Sequence, residues 1–286
     1  MSIKMVQERL KSYNCTTELE EEQAIREITQ EVALAALGRT DFFKCGVFQG
    51  GTCLRIFYGL NRFSEDMDFI LKSPDKKFVI EPYLKSIVQE LLAYGYNLEI
   101  VDQSKASVTV RKAFIKDDSV GKVLWWDYAG KTGPMRKIRI KLEVDTNPPA
   151  GSGYELKYLD FPFVSSVLLQ DLPSLFAGKI HALLCREYAK GRDWYDFIWF
   201  TSRGEKINYQ FLTSALKQQG QWQGRKMKID KDWCLKQLHK RICSLNWKEA
   251  QDDIKRFVRR SELASIKLWT EDFFLDRLNN YASKIS

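Results

Sequence analysis

The sequence predicts an α+β fold in two parts. Residues 1–165 are expected to form an α/β domain with N-terminal helices flanking a mixed or antiparallel sheet. Residues 166–286 are expected to form a basic, all-helical domain. Three observations carry this division. Ile138 to Asp145 alternates apolar and polar residues strictly over eight positions, the signature of a half-buried strand. The segment before Gly38 carries apolar residues at helical spacing, and only helical patterns remain beyond Asp171. The length of 286 residues is ample for two domains of ordinary size.

The elements follow in order. Thr17-Glu18-Leu19-Glu20 is a capping box, in which Thr17 and Glu20 are expected to satisfy each other's free backbone donors. The helix it opens runs through Ala24, Ile25, Ile28, Val32 and Ala35 and stops near Gly38. A short strand, Cys45 to Phe48, ends at Gly50-Gly51, and Thr52 to Tyr58 reads as a short helix. Asp66 to Leu71 is a second strand, and residues 78–94 form an amphipathic helix. From Leu98 to Val144 the pattern is that of strands, including Ser107 to Val110. Asn147 to Gly153 is a loop rich in Pro and Gly, and one further strand near Leu156 to Phe163 closes the sheet. The helical part is broken near Gly204 and at Gln219–Gly224.

Composition excludes several classes. No stretch approaches the roughly 20 apolar residues of a membrane span, and the first fourteen residues lack the apolar core of a secretory signal. A cytoplasmic protein is expected, with no membrane partner. The six cysteines form no CxxC pair, so free, largely buried thiols are expected. Only His181 and His239 are present, which disfavours a Cys/His zinc site. His181 is expected to be packed, and Trp194, Phe197, Trp199 and Phe200 to belong to the core. The net charge of +8 lies wholly in residues 166–286, which hold 22 basic and 14 acidic residues; residues 1–165 hold 23 of each. Such an excess fits a polyanion such as nucleic acid, or a solvated helical surface.

The chemistry concentrates in Gly50-Gly51-Thr52 and, further along, Ser64-Glu65-Asp66-Met67-Asp68. Paired glycines at a strand-to-helix turn let backbone N–H groups approach a phosphate, and the helix N-terminus adds partial positive charge. The Thr52 hydroxyl is expected to donate to the same oxygens. Asp66 and Asp68 are two apart on a strand, so both project from one face, where carboxylate oxygens suit Mg²⁺ or Mn²⁺ beside substrate phosphates. A third carboxylate is expected from a neighbouring strand. Glu143 and Asp145 share the polar face of the 138–145 strand, and Glu143 is preferred because it lies further inside it.

Gly50-Gly51-Thr52 followed by Arg62-x-Ser64-x-Asp66-x-Asp68 resembles the signature of the AbiEii/AbiGii toxin-like nucleotidyltransferases, a branch of the DNA polymerase β-like superfamily. A second block extends the resemblance: a helical Lys179, then Lys190-Gly191-Arg192-Asp193-Trp194-Tyr195-Asp196. The resemblance implies a metal-dependent nucleotidyltransferase. It assigns Gly50, Gly51, Thr52, Arg62, Ser64 and Lys179 to nucleotide binding, with Lys179 neutralising the triphosphate. It assigns Asp66 and Asp68 to metal, and it makes Asp196 the polar residue completing the pocket; the third ligand, Glu143 in preference to Asp145, rests on strand position and not on the resemblance. If Lys179 and Asp196 serve the nucleotide held by Asp66 and Asp68, a cleft between the two parts is expected. Structural alternatives for these residues are a surface lysine, a helical Arg192–Asp196 pair and an Asp193 cap.

The reaction implied is attack by an acceptor hydroxyl on the α-phosphate of a nucleoside triphosphate, with release of pyrophosphate. An RNA acceptor such as tRNA, a cognate antitoxin protein, and a place in a type IV toxin–antitoxin or phage-defence system are implied with it. Two rivals exist. A haloacid-dehalogenase-like phosphatase requires Thr or Val two residues after its second Asp, where Ile70 stands. A degenerate nucleotidyltransferase would bind nucleotide or RNA without chemistry, and its carboxylates would be expected to have been replaced.

Overall fold

The computed structural model describes residues 2–96, 98–101, 119–128 and 136–285. The expected strand Ser107 to Val110 lies outside them. The described chain forms two compact units. One comprises Met1–Gly59, Phe63–Pro148 and Tyr154–Leu169; the other comprises Leu60–Arg62, Pro149–Gly153 and Gln170–Ser286.

Among the described residues, the first unit is built on a seven-stranded mixed sheet. Its strands are β1 (Gly46–Gln49), β2 (Asp66–Leu71), β3 (Leu98–Val101), β4 (Ser119–Tyr128), β5 (Arg136–Asp145), β6 (Tyr154–Leu159) and β7 (Ser165–Gln170), in the spatial order β3-β4-β5-β2-β1-β7-β6. β2 runs antiparallel to β1 and parallel to β5. β4 is antiparallel to both β3 and β5. The single closing strand expected near Leu156 to Phe163 is replaced by two. Asp160 to Val164, containing the cis Phe161–Pro162 bond, separates β6 from β7, and β7 inserts between β6 and β1, to which it is parallel. Proline has no N–H for a ladder, which is why the strand pattern breaks there.

The described helices of this unit are α1 (Ser2–Ser12), α2 (Glu18–Gly38), α3 (Gly50–Tyr58) and α4 (Glu81–Ala93). The Thr17 hydroxyl caps α2 by accepting from the Glu20 N–H at 3.2 Å, while the Glu20 carboxylate turns back to the N–H and hydroxyl of Thr16, both at 2.8 Å. The helix reaches Gly38, as its spacing predicts. Gln23 to Leu37 is buried all round, polar residues included. A buried helix with polar residues is stable only when they are paired. Here Glu27 pairs with Arg55 at 2.8 Å, Glu31 accepts two bonds from Arg9, and Arg26 bridges Glu22 and Glu65. Burial lifts the Glu31 carboxyl to about 7 against the opposing charge of Arg9.

The second unit is helical from Leu172 onward: α5 (Leu172–Cys185), α6 (Gly191–Arg203), α7 (Tyr209–Gln218), α8 (Lys231–Cys243), α9 (Trp247–Ile254), α10 (Leu263–Ile266) and α11 (Glu271–Lys284), with short 3₁₀ turns. Asp171, Asn208, Asp230 and Thr270 each accept a backbone N–H at a helix start, which fixes where α5, α7, α8 and α11 begin. Trp194, Phe197 and Phe200 are buried with Phe176, Trp247 and Phe274, Phe176 stacking on Phe200 at 4.4 Å. Trp199 is the exception; it is half-buried with the Arg203 guanidinium over its ring. His181 is also half-buried, its Nε2 3.2 Å from the Gln219 carbonyl. All six cysteines are free, but only Cys53 and Cys234 are fully buried. Among the described residues no helix is long and apolar enough to cross a membrane.

Candidate active site

Within the first unit, β2 carries the two aspartates. Asp66 and Asp68 are half-exposed while Met67 between them is wholly buried, so both carboxylates project from the face opposite the core. The parallel register with β5 sets Asp68 beside Glu143, Asp66 beside Lys141, and Ile70 beside Asp145. Glu143 is thus level with Asp68, and Asp145 lies one pleat further along. The β5 segment alternates as predicted, with Ile140, Leu142 and Val144 buried and Lys141, Glu143 and Asp145 half-exposed. One partner was overlooked in the sequence. The Lys141 ammonium donates to the Glu143 carboxylate, so a cation stands between the positions level with Asp66 and Asp68. The alternation marked Lys141 as sharing that face, and its i, i+2 relation to Glu143 was the available signal.

The approach to β2 is fixed by α2 and α3. The Ser64 carbonyl accepts from Gln30 at 3.2 Å, and Glu65 accepts from Arg26 at 3.2 Å. Helix α3 begins at Gly50, two residues earlier than expected, so Gly50 and Gly51 form its first turn. Thr52 departs from its expected role. It is fully buried, and its hydroxyl proton goes to the Asp66 backbone carbonyl, not outward to a phosphate. It therefore ties the first strand residue to the helix start.

Gly50 is required twice over. Its φ of +81° is costly for an L side chain, and a Cβ there would lie 2.6 Å from the Asp68 Oδ2. The Asp68 carboxylate thus rests in the space left by the missing side chain, at a helix N-terminus. Gly50→Ala is expected to cost about 1–2 kcal/mol of stability and to displace Asp68. A displacement of about 1 Å is expected to reduce nucleotide transfer by about a hundredfold. Turnover and thermal unfolding of the variant check both, and unchanged turnover would show that Asp68 does not need this seat.

The remaining sequence-predicted residues gather within the second unit. Arg62 and Asp196 are fully buried and joined by two parallel bonds of 2.6 Å, Nε to Oδ1 and Nη2 to Oδ2. Asp196 also accepts from Lys179 at 2.7 Å, and Lys179 lies 3.3 Å from Asp193 Oδ1. The Arg186 Nε is 3.2 Å from Asp193 Oδ2. Burial opposes the Arg62 charge, but the charge and hydrogen bonds of Asp196 outweigh it and hold the guanidinium above its ordinary value. Asp196, which the resemblance assigns to the pocket, anchors Arg62 in this structure. Arg192, for which pairing with Asp196 was one structural alternative, lies over the Phe257 ring. Asp193 is not the cap of α6; that position is Lys190, and Asp193 sits in the first turn facing the cations.

Burial pushes the Asp193 carboxyl up, yet Lys179, Arg186, Lys190 and Arg62 together pull it down to about 2. A carboxylate depressed in the folded state stabilises above its unfolded pKa, near 4, and loses that contribution as pH falls through its folded value. This group should therefore account for on the order of 2 kcal/mol of stability lost between about pH 4 and pH 2. Denaturant unfolding across that range, compared with Asp193→Asn, tests it: the variant should be less stable at pH 5 and show a shallower acid slope.

A mixed sheet bearing two aspartates on one strand, with a Gly-Gly helix start against them, is the arrangement the sequence resemblance calls for, and the family comparison gives the class as nucleotidyltransferase. The family model of the nucleotidyl transferase AbiEii toxin, type IV toxin–antitoxin system, matches residues 32–277, and the chain belongs to that family. Two solved structures share the fold. The nucleotidyltransferase toxin MenT4 of Mycobacterium tuberculosis H37Rv is similar with a TM-score of 0.59 at 16% identity, over 98% of this chain and 89% of its own. JHP933 of Helicobacter pylori is similar with a TM-score of 0.52 at 19% identity, over 93% and 92%. No curated protein matches the sequence.

Proposed function

We propose that this nucleotidyltransferase transfers a nucleoside monophosphate from a nucleoside triphosphate to an RNA hydroxyl, tRNA being the favoured acceptor, in a metal-dependent reaction centred on Asp66 and Asp68. The observation that carries the reading is the half-exposed pair of aspartates on β2, seated against the Gly50 turn with Glu143 level with Asp68.

The residues fit a hard divalent cation. Carboxylate oxygens are the donors that Mg²⁺ and Mn²⁺ prefer, and Gly50 leaves the space that the Asp68 carboxylate uses. Among the described residues no three His, Cys, Asp or Glu side chains are gathered as a complete cage. Mg²⁺ sites of this class use one or two carboxylates and leave the remaining positions to phosphate and water oxygens. Asp66 and Asp68 would hold the ion, with Glu143 available once its bond to Lys141 opens. A bound divalent ion supplies charge stabilisation to the phosphoryl oxygens and lowers the pKa of an attacking hydroxyl. The N–H groups of Gly50 and Gly51, at the start of α3, are the donors placed to receive phosphate oxygens. Ser64 precedes the β2 aspartates on the segment that α2 holds through Gln30.

An RNA acceptor is supported by the charge of residues 166–286, where 22 basic residues face 14 acidic ones. Membership of a type IV toxin–antitoxin family supports an antitoxin partner and a role in phage defence. The test offers each of four α-labelled triphosphates, with total cellular RNA, to the full chain. Label is expected in a discrete RNA band with one or two of the triphosphates, and chelation should abolish it. Absence of label from RNA with every triphosphate, in the presence of Mg²⁺ and of Mn²⁺, would refute the RNA-acceptor reading.

A further inference from the structure

The edge of the sheet carries a feature that nucleotide transfer does not use. β6 ends the strand order, and among the described residues no strand pairs with its outer side. Edge strands present unpaired backbone donors and acceptors, and proteins ordinarily blunt them. β6 is instead six residues long, with Tyr154, Leu156 and Tyr158 on one face at 37%, 55% and 66% exposure. On its other face Glu155 and Lys157 stand 3.7 Å apart. Both are held by Tyr58, whose hydroxyl donates to the Glu155 carboxylate and whose ring lies 3.9 Å from the Lys157 ammonium.

We propose that β6 is a self-pairing edge, joining two copies of this chain by antiparallel strand addition about a two-fold axis at Leu156. Residues directly opposite one another in an antiparallel pair lie on the same face, so the register can be checked residue by residue. A two-fold axis at Leu156 sets Leu156 against Leu156, Tyr154 against Tyr158 and Glu155 against Lys157, each of the last two twice. Every apolar residue meets an apolar one, and every charge meets its opposite. Moving the axis to Lys157 would set Lys157 against itself, and moving it to Glu155 would do the same with two carboxylates. A shift by half a step sets Leu156 against Lys157. The lysine that would repel an arbitrary strand thus fixes the register with its own copy. A two-fold interface is closed, so association stops at the dimer.

The test is sedimentation equilibrium of the full chain with two single variants. The wild type is expected to show a dimer dissociating at micromolar to tens-of-micromolar concentration, the range of a small interface. Glu155→Lys and Lys157→Glu should each weaken self-association by about a hundredfold, because each sets like charges opposite one another twice. Mixed together they should form a one-to-one heterodimer. One copy then carries only lysines at positions 155 and 157, and the other only glutamates, so both cross-strand pairs are again of opposite charge. If either single variant fails to fold, the double exchange Glu155→Lys/Lys157→Glu serves in its place and should dimerise again. A wild type that remains monomeric at about 100 µM overturns the proposal. So does a dimer indifferent to both single variants, a mixture that stays unpaired, or a folded double exchange that stays monomeric.

Discussion

Asp68→Asn is expected to reduce nucleotide transfer by about a thousandfold while leaving the fold intact. The two side chains have the same shape, and the Asp68 carboxylate rests in the space above Gly50, where an amide also fits. The charge is lost and one acceptor oxygen becomes an amide donor. A neutral amide is a poor ligand for a hard cation, and it no longer supplies the negative charge that draws the ion to this face. Asp145→Asn is the matched control. Asp145 shares the polar face of β5 but stands level with Ile70, one pleat beyond Asp68, and it accepts the Asn147 N–H at 2.9 Å. It is expected to change transfer by no more than a few fold, and Glu143→Gln to fall between the two. Labelled-triphosphate incorporation at saturating Mg²⁺, with circular dichroism to verify folding, separates the three. Equal losses in Asp68→Asn and Asp145→Asn would show that register with β2 does not select the site.

The largest effect on stability is expected from Asp196→Ala. Asp196 is fully buried and accepts two bonds from the equally buried Arg62 and one from Lys179. Removing it leaves a desolvated guanidinium without its counter-charge, which typically costs about 3–5 kcal/mol. For a unit of this size that corresponds to a fall in melting temperature of roughly 10–20 °C. The double replacement Arg62→Met/Asp196→Leu removes both charges together and should recover most of the loss, because the desolvation penalty disappears with the pair. Lys179 would still have Asp193 within 3.3 Å. Calorimetry of the three proteins tests this. A single variant that melts like the wild type would mean that the pair does not hold Arg62 in place.

Much of this was legible in the sequence, for identifiable reasons. The β2 and β5 strands announced themselves because one face is buried and the other is not, so alternation survives in residues such as Met67, Leu142 and Val144. The same alternation put Asp66 and Asp68 on one face of β2, and Glu143 and Asp145 on one face of β5; only the register brings Glu143 level with Asp68. Local rules also located α2, through Thr17 and Gly38. What could not be read depends on distant partners. Arg62 and Asp196 are separated by 134 positions, and nothing in either segment specifies that they meet. The Thr52 hydroxyl has one proton, and only the packing of α3 against β2 decides that the Asp66 carbonyl receives it. β7 went unseen because Ser165-Ser166 and Phe161-Pro162 blurred the pattern into one longer strand. The full burial of helix α2 likewise depends on distant partners. Its charged residues are paired by Arg9, Arg55 and Glu65, partners distant in sequence that keep that face buried.

The most direct test of the proposed site is Mn²⁺ binding followed by electron paramagnetic resonance, with a non-hydrolysable triphosphate analogue present. The full chain is titrated beside the Asp66→Asn/Asp68→Asn double variant, and the signal of free Mn²⁺ is recorded. Wild-type protein should deplete that signal beyond what the analogue does alone, and the double variant should add nothing to the analogue's own binding. Equal depletion by the two proteins would place the metal elsewhere and contradict a reaction centred on the β2 aspartates.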